Sequence, residues 1–133
     1  MSRVGGRSVV VLSWVVLVLL AAHDVTHLAD GGLDTSPGQL ALVAIPQWIA
    51  LAAVMVIVVR GPDDRRRIAA LVLGVSVVVG FAVIHLLPFS LADYSELEPS
   101  GLSWVLVWLP TAAALVLVAL AALVRPSRAG AAA

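Results

Sequence analysis

The chain has no cysteine and no lysine among its 133 residues, and only 12% of them are charged. Without thiols there are no disulfide staples, no thiolate metal ligands and no thiol redox chemistry. Scarce charge combined with 62% hydrophobic residues takes the chain outside the range of soluble domains. No phosphate-cradling glycine loop, dinucleotide fingerprint or nucleophile–base pair is present, so nothing points to an enzyme. Ionisable groups are also missing from the middle of the apolar runs, where polarity is limited to Ser13, Gln47, Ser76, Thr111 and tryptophan. Ion-coupled transport relies on such a group near the bilayer midplane, which disfavours a homo-oligomeric transporter.

What is abundant is long apolar sequence. Four runs, at about 8–28, 40–59, 68–87 and 102–124, are long enough to cross a hydrocarbon layer, which takes roughly 20 helical residues. The expected fold is therefore all-α: a polytopic membrane protein with four transmembrane helices. It forms one membrane domain over 1–133, with a disordered tail at 125–133. A set of four helices has little interior of its own, so a homo-oligomer or a place in a larger membrane complex is expected. Residues 3–22 also resemble a secretory signal, but Leu20 stands where cleavage prefers a small residue, and the segment reads as a retained helix.

All eight basic residues are arginines, and they alternate with the acids along the chain. Arg3 and Arg7 precede the first run, Arg60 and Arg65–Arg67 lie between the second and third, and Arg125 and Arg128 follow the fourth. The histidines and the acids Asp24, Asp30, Asp34, Asp93, Glu96 and Glu98 fall at the opposite ends. Positive charge in short loops stays inside, so both termini and the middle loop are expected in the cytoplasm, with the protein in the plasma membrane. Asp63 and Asp64 are read as screening the arginine cluster. Polarised charge of this kind serves topology and argues against a nucleic-acid surface.

The two halves resemble each other. Residues 33–46 align without gaps on 97–110, with Leu33/Leu97, Ser36/Ser100, Leu42/Leu106, Val43/Val107 and Pro46/Pro110 identical and Asp34/Glu98 conservative. His27-Leu28 then matches His85-Leu86 across a longer second loop. The expectation is two repeated helical hairpins related by an axis along the membrane normal. Pro46 and Pro110 each free a carbonyl, at Leu42 and Leu106, and are expected to face the bundle, with Gln47 a nearby donor. Ser76 and Gly80 have the small-xxx-small spacing of close helix packing. Trp104 and Trp108, with Phe89 and Tyr94, read as an interfacial aromatic belt.

The only candidates for chemistry are the histidines. His23 and His27 stand one turn apart on a single helix face with Asp24 beside them, and His85 sits at the same end of the third run. Two imidazoles at i and i+4 can bind one ion, and a third from another helix completes three protein ligands. Asp24, Asp93 or Glu96 could add a carboxylate, and without thiolates Zn²⁺ or Cu²⁺ suits the set. Asp24 could instead orient an imidazole. Trp14, nine residues before His23, falls on the opposite side of the helix. A haem held by His27 and His85 is a lesser alternative, and a non-catalytic accessory subunit is the alternative from another class.

Overall fold

In the computed structural model the chain is all-helical, and residues 3–29, 37–86 and 101–124 are described. Side chains are described for 5–26, 44–83, 85 and 105–124. The helices are α1 (Arg3–Ala29), α2 (Pro37–Arg60), α3 (Asp63–Phe81) and α4 (Gly101–Leu123), and a π-helical turn, Ala82–Leu86, extends α3. The 125–133 tail and both histidine-end loops lie outside the described residues, so the loop half of the repeat is not described. Two helical segments among the described residues, Gly5–Thr26 and Val105–Leu123, are long and apolar enough to cross a membrane, and Ala44–Arg60 is a shorter apolar stretch.

Several boundaries differ from the apolar runs for identifiable reasons. Helix α2 opens at Pro37, whose preset φ and missing N–H suit a first helical position. Helix α3 opens at Asp63, well before the apolar run, after Pro62 in extended conformation (φ −61°, ψ 158°). Asp63 and Asp64 thus lie in a first turn, where carboxylates favour the positive end of the helix dipole. Both α2 and α4 continue through their internal prolines.

Buried positions form narrow stripes. Among the described residues they are, on α1, Gly6, Val9, Ser13, Val16, Leu20 and His23, and on α4 Leu106, Val107, Pro110, Thr111, Ala114, Leu117 and Ala121. Alternating steps of three and four are the seam of helices packed at a shallow angle. Helix α4 packs along both α1 and α3, while α2 packs on α3 and more lightly on α1. Small residues bring α3 and α4 together. A Cβ placed on Gly74 would stand 2.7 Å from Val118 Cγ2 and 3.0 Å from the Ala114 carbonyl oxygen. Gly80 has nothing within 4 Å of such a Cβ, and Ser76 is exposed. The backbone approach is therefore at Gly74 rather than at the Ser76/Gly80 pair.

The paired prolines differ in environment. Pro110 is fully buried, whereas Pro46 is exposed; among the described side chains of α2 the buried ones are Met55 and Val58, both near its arginine end. Gln47 is likewise exposed. Hydroxyls in the stripes satisfy themselves locally: Ser13 Oγ donates to the Val9 carbonyl at 2.8 Å and Thr111 Oγ1 to the Val107 carbonyl at 2.7 Å.

Two of the arginines close helix ends. Arg66 donates from Nε to the Val58 carbonyl at 2.8 Å and from a terminal nitrogen to Gly61 at 3.0 Å, and it pairs with Asp63 at 2.8 Å. Arg67 Nε donates to the Ala121 carbonyl of α4 at 2.7 Å. The last carbonyls of a helix have no intrahelical donor, and cations favour that end of the dipole. The cluster that sets charge asymmetry therefore also ties α2, α3 and α4 together. These contacts place the start of α3 beside the ends of α2 and α4, so α3 runs antiparallel to both.

Candidate functional site

His23 occupies the last described step of the α1 stripe, which carries the imidazole inward at 4% exposure. Helix α3 runs parallel to α1, and its stripe of Ala70, Leu73, Val77 and Phe81 leads to His85 four residues later. The π-helical turn Ala82–Leu86 carries His85. A π turn takes more residues than an α turn, bonding i to i+5, and so re-aims the side chains on it. The result is a packed trio. The His23 and His85 ring centroids are 5.0 Å apart at 87°, and Phe81 stands 4.8 Å from His23 and 5.3 Å from His85.

The trio closes one end of a cavity of about 310 Å³ between α1, α2 and α3. Its walls are Leu20, Leu51, Val77 and Gly80, and its polar groups are His23, Asp24, His85, Gln47 and Ser76. Among the described side chains of α2, Met55 and Val58 are buried while Ile45, Pro46 and Gln47 are exposed, and the cavity lies beside Gln47 and Leu51. A hydrogen bond joins α2 to α1 beside it: the Trp48 indole Nε1–H donates to Asp24 Oδ2 at 3.1 Å. Thr26 Oγ1 donates to the His23 carbonyl at 2.7 Å, which helps hold the end of α1.

The structure thus brings together His23, His85 and the edge of Asp24. The His27 side chain, Asp93 and Glu96 lie outside the described residues. Among the described residues no group of three or more His, Asp or Glu is placed to hold a metal ion. Trp14 is exposed, on the far side of α1 from His23. Trp108 is exposed as well, whereas the Trp104 side chain, Phe89 and Tyr94 lie outside the described residues.

Sequence reasoning overlooked Trp48 and Leu51, and gave Phe81 no role. A signal for Trp48 did exist. Indole is a donor only, and in an apolar helix it needs an acceptor, for which Asp24 is the one acid within reach of the first run. Nothing comparable marks Leu51 among its many apolar neighbours. Comparison with protein-family models, with curated proteins and with solved structures finds no match.

Proposed function

We propose that this is a small integral membrane protein that binds a transition metal, Zn²⁺ or Cu²⁺, at its extracytoplasmic end through His23 and His85. The observation that carries the reading is the 5.0 Å separation of two imidazoles from different helices beside an acid-bearing cavity. With metal–nitrogen bonds near 2.0–2.1 Å, two imidazoles on one tetrahedral ion have ring centroids roughly 5 Å apart. Imidazoles on opposite faces of a haem iron would be further apart, roughly 6 Å by the same geometry, so His23 and His85 suit an ion better than haem. A third ligand would come from His27, Asp93 or Glu96, with Asp24, held by Trp48, as a nearby acceptor that fixes an imidazole's orientation.

The membrane setting draws support from exposed apolar side chains on every helix, such as Val18 (62%), Ile49 (65%), Val72 (49%) and Leu115 (53%). A water-soluble bundle would turn polar faces outward at these positions. In this reading four helices cross the plasma membrane as two repeated hairpins, with the arginine end cytoplasmic. Because the chain has no cysteine, single-cysteine labelling is clean. Asp34→Cys and Ser95→Cys should react with an impermeant maleimide from outside intact cells, and Arg65→Cys only after permeabilisation. Labelling of positions 34 and 95 only from within would overturn the topology.

The metal reading is tested by metal analysis of protein saturated with Zn²⁺ or Cu²⁺ and then dialysed. About one ion per chain or per assembled site is expected, falling to background in His23→Ala and in His85→Ala, and unchanged in Trp14→Ala. Retention of the ion by both histidine variants would sink the site. The exposed apolar faces would then favour a non-catalytic accessory subunit that pads a membrane complex through helix contacts.

A further inference from the structure

The cavity is larger than an ion needs. About 310 Å³ is space for a body of small-molecule size, and pockets that hold such ligands begin near this volume. Its polar groups are split between two ends. His23, His85 and Asp24 form one, and Gln47 of α2 with Ser76 of α3 form the other, where both side chains are exposed. Ser76 lies nine residues before His85, so along α3 it stands about 13 Å further toward the arginine end, at a rise of roughly 1.5 Å per residue. Residues 47 and 76 both fall near the middle of their helices. In a membrane-spanning bundle the mouth therefore opens sideways, at a depth where water is scarce.

Neither side chain is satisfied from within. Ser13 and Thr111 bond the carbonyl four residues back, but Ser76 and Gln47 make no side-chain hydrogen bond among the described residues. A polar group facing hydrocarbon without a partner is costly, so an amide and a hydroxyl together at the lip of a cavity favour an occupant that bonds them. The charge of the lining narrows the class. It contains a carboxylate and no arginine, which disfavours fatty acids and other anions. The remaining walls are aliphatic or, at Phe81, aromatic.

We propose that this cavity takes a neutral, lipid-soluble ring molecule bearing carbonyl acceptors, of quinone-headgroup chemistry. It enters from the bilayer between α2 and α3, and its carbonyls accept hydrogen bonds from the Gln47 amide and the Ser76 hydroxyl. The ring lies against Leu51, Val77 and Gly80. This site is at the opposite end of the cavity from the proposed metal ligands and does not depend on a bound ion.

The test uses the full chain in phospholipid nanodiscs, stripped of metal with a chelator, and titrated with a decyl-substituted dimethoxy-methyl-benzoquinone. Saturable binding against the lipid background is expected. Gly80 lines the cavity and its Cβ direction is open, so Gly80→Leu should fill the space without disturbing the fold and should abolish binding. Gln47→Leu and Ser76→Val should each weaken it about five- to tenfold, the worth of one hydrogen bond in a dry site. Helical content and the thermal transition of each variant report whether it has folded. Wild-type failure to bind overturns the proposal. So does binding that is indifferent to Gln47→Leu and Ser76→Val, which would mean an acyl chain in the cavity. A Gly80→Leu variant that dissociates an oligomer without any loss of quinone binding would show that a second copy covers the mouth, and would overturn it too. Metal content measured in parallel on untreated protein separates this outcome from failure of the histidine site.

Discussion

Gly74→Leu should destabilise the protein by roughly 3 kcal/mol or more, the upper range for overpacking a tight core. Even the single methyl of Gly74→Ala meets the Ala114 carbonyl oxygen at 3.0 Å and Val118 Cγ2 at 2.7 Å. The valine methyl can turn aside, but the carbonyl belongs to the α4 backbone, so the helices themselves must separate. Separation reaches across the molecule, because α4 also packs along α1. Ala114 and Leu117 are fully buried at this seam and would lose contacts on both sides. Gly80→Ala is the internal comparison. Its Cβ meets nothing within 4 Å, so relief of glycine's backbone entropy should leave stability unchanged or raise it by about 0.5–1 kcal/mol. Unfolding in mixed micelles, followed by tryptophan fluorescence, would measure both. Equal loss at both glycines would show that α3 and α4 do not meet at residue 74.

Arg66→Met should cost about 2–3 kcal/mol, whereas Arg65→Met should change stability by less than roughly 0.5 kcal/mol. The Arg66 guanidinium reaches the Val58 and Gly61 carbonyls and the Asp63 carboxylate at once, and it approaches the Val59 carbonyl at 3.5 Å. Methionine leaves these acceptors at the end of α2 to find water. The Arg66 side chain is 20% exposed, which softens the loss and keeps the estimate at the lower end of what several charge-assisted bonds would suggest. Arg65 is exposed, so its loss removes the same charge without uncapping a helix. Any effect on membrane orientation should then be shared by the two variants, and the difference in stability isolates the cap. Arg66→Lys should recover only part of the loss, because an ammonium cannot span acceptors as a planar fork does. Matching stabilities for Arg65→Met and Arg66→Met would remove the capping role.

Helix number and type were legible because apolar runs of about 20 residues are far longer than strands and fit helices. Helix starts were less so. Hydropathy places the beginning of the third helix at Ile68, but backbone hydrogen bonding extends it to Asp63, where a carboxylate favours the dipole. The meeting of His23 with His85 was readable from end-to-end bookkeeping, since both sit at the same end of helices one and three. Their ring separation was not, because it depends on the π-helical turn at Ala82–Leu86. The Asp24–Trp48 bond joins two helices whose relative rotation no pattern along the chain specifies.

The sequence by itself determined an all-helical chain of four apolar runs with arginine at one end and histidine at the other, and among the described residues two of the resulting helices are long and apolar enough to cross a membrane. These follow from local composition and length, which act residue by residue. The tertiary structure alone decided which side of each helix turns inward. When a helix is apolar around its whole circumference, hydropathy no longer distinguishes faces, and close packing of small residues takes over. That is why Gly74 rather than Gly80 forms the seam, why Pro110 is buried and Pro46 is not, and why a cavity stands open beside Gln47 and Leu51 of α2.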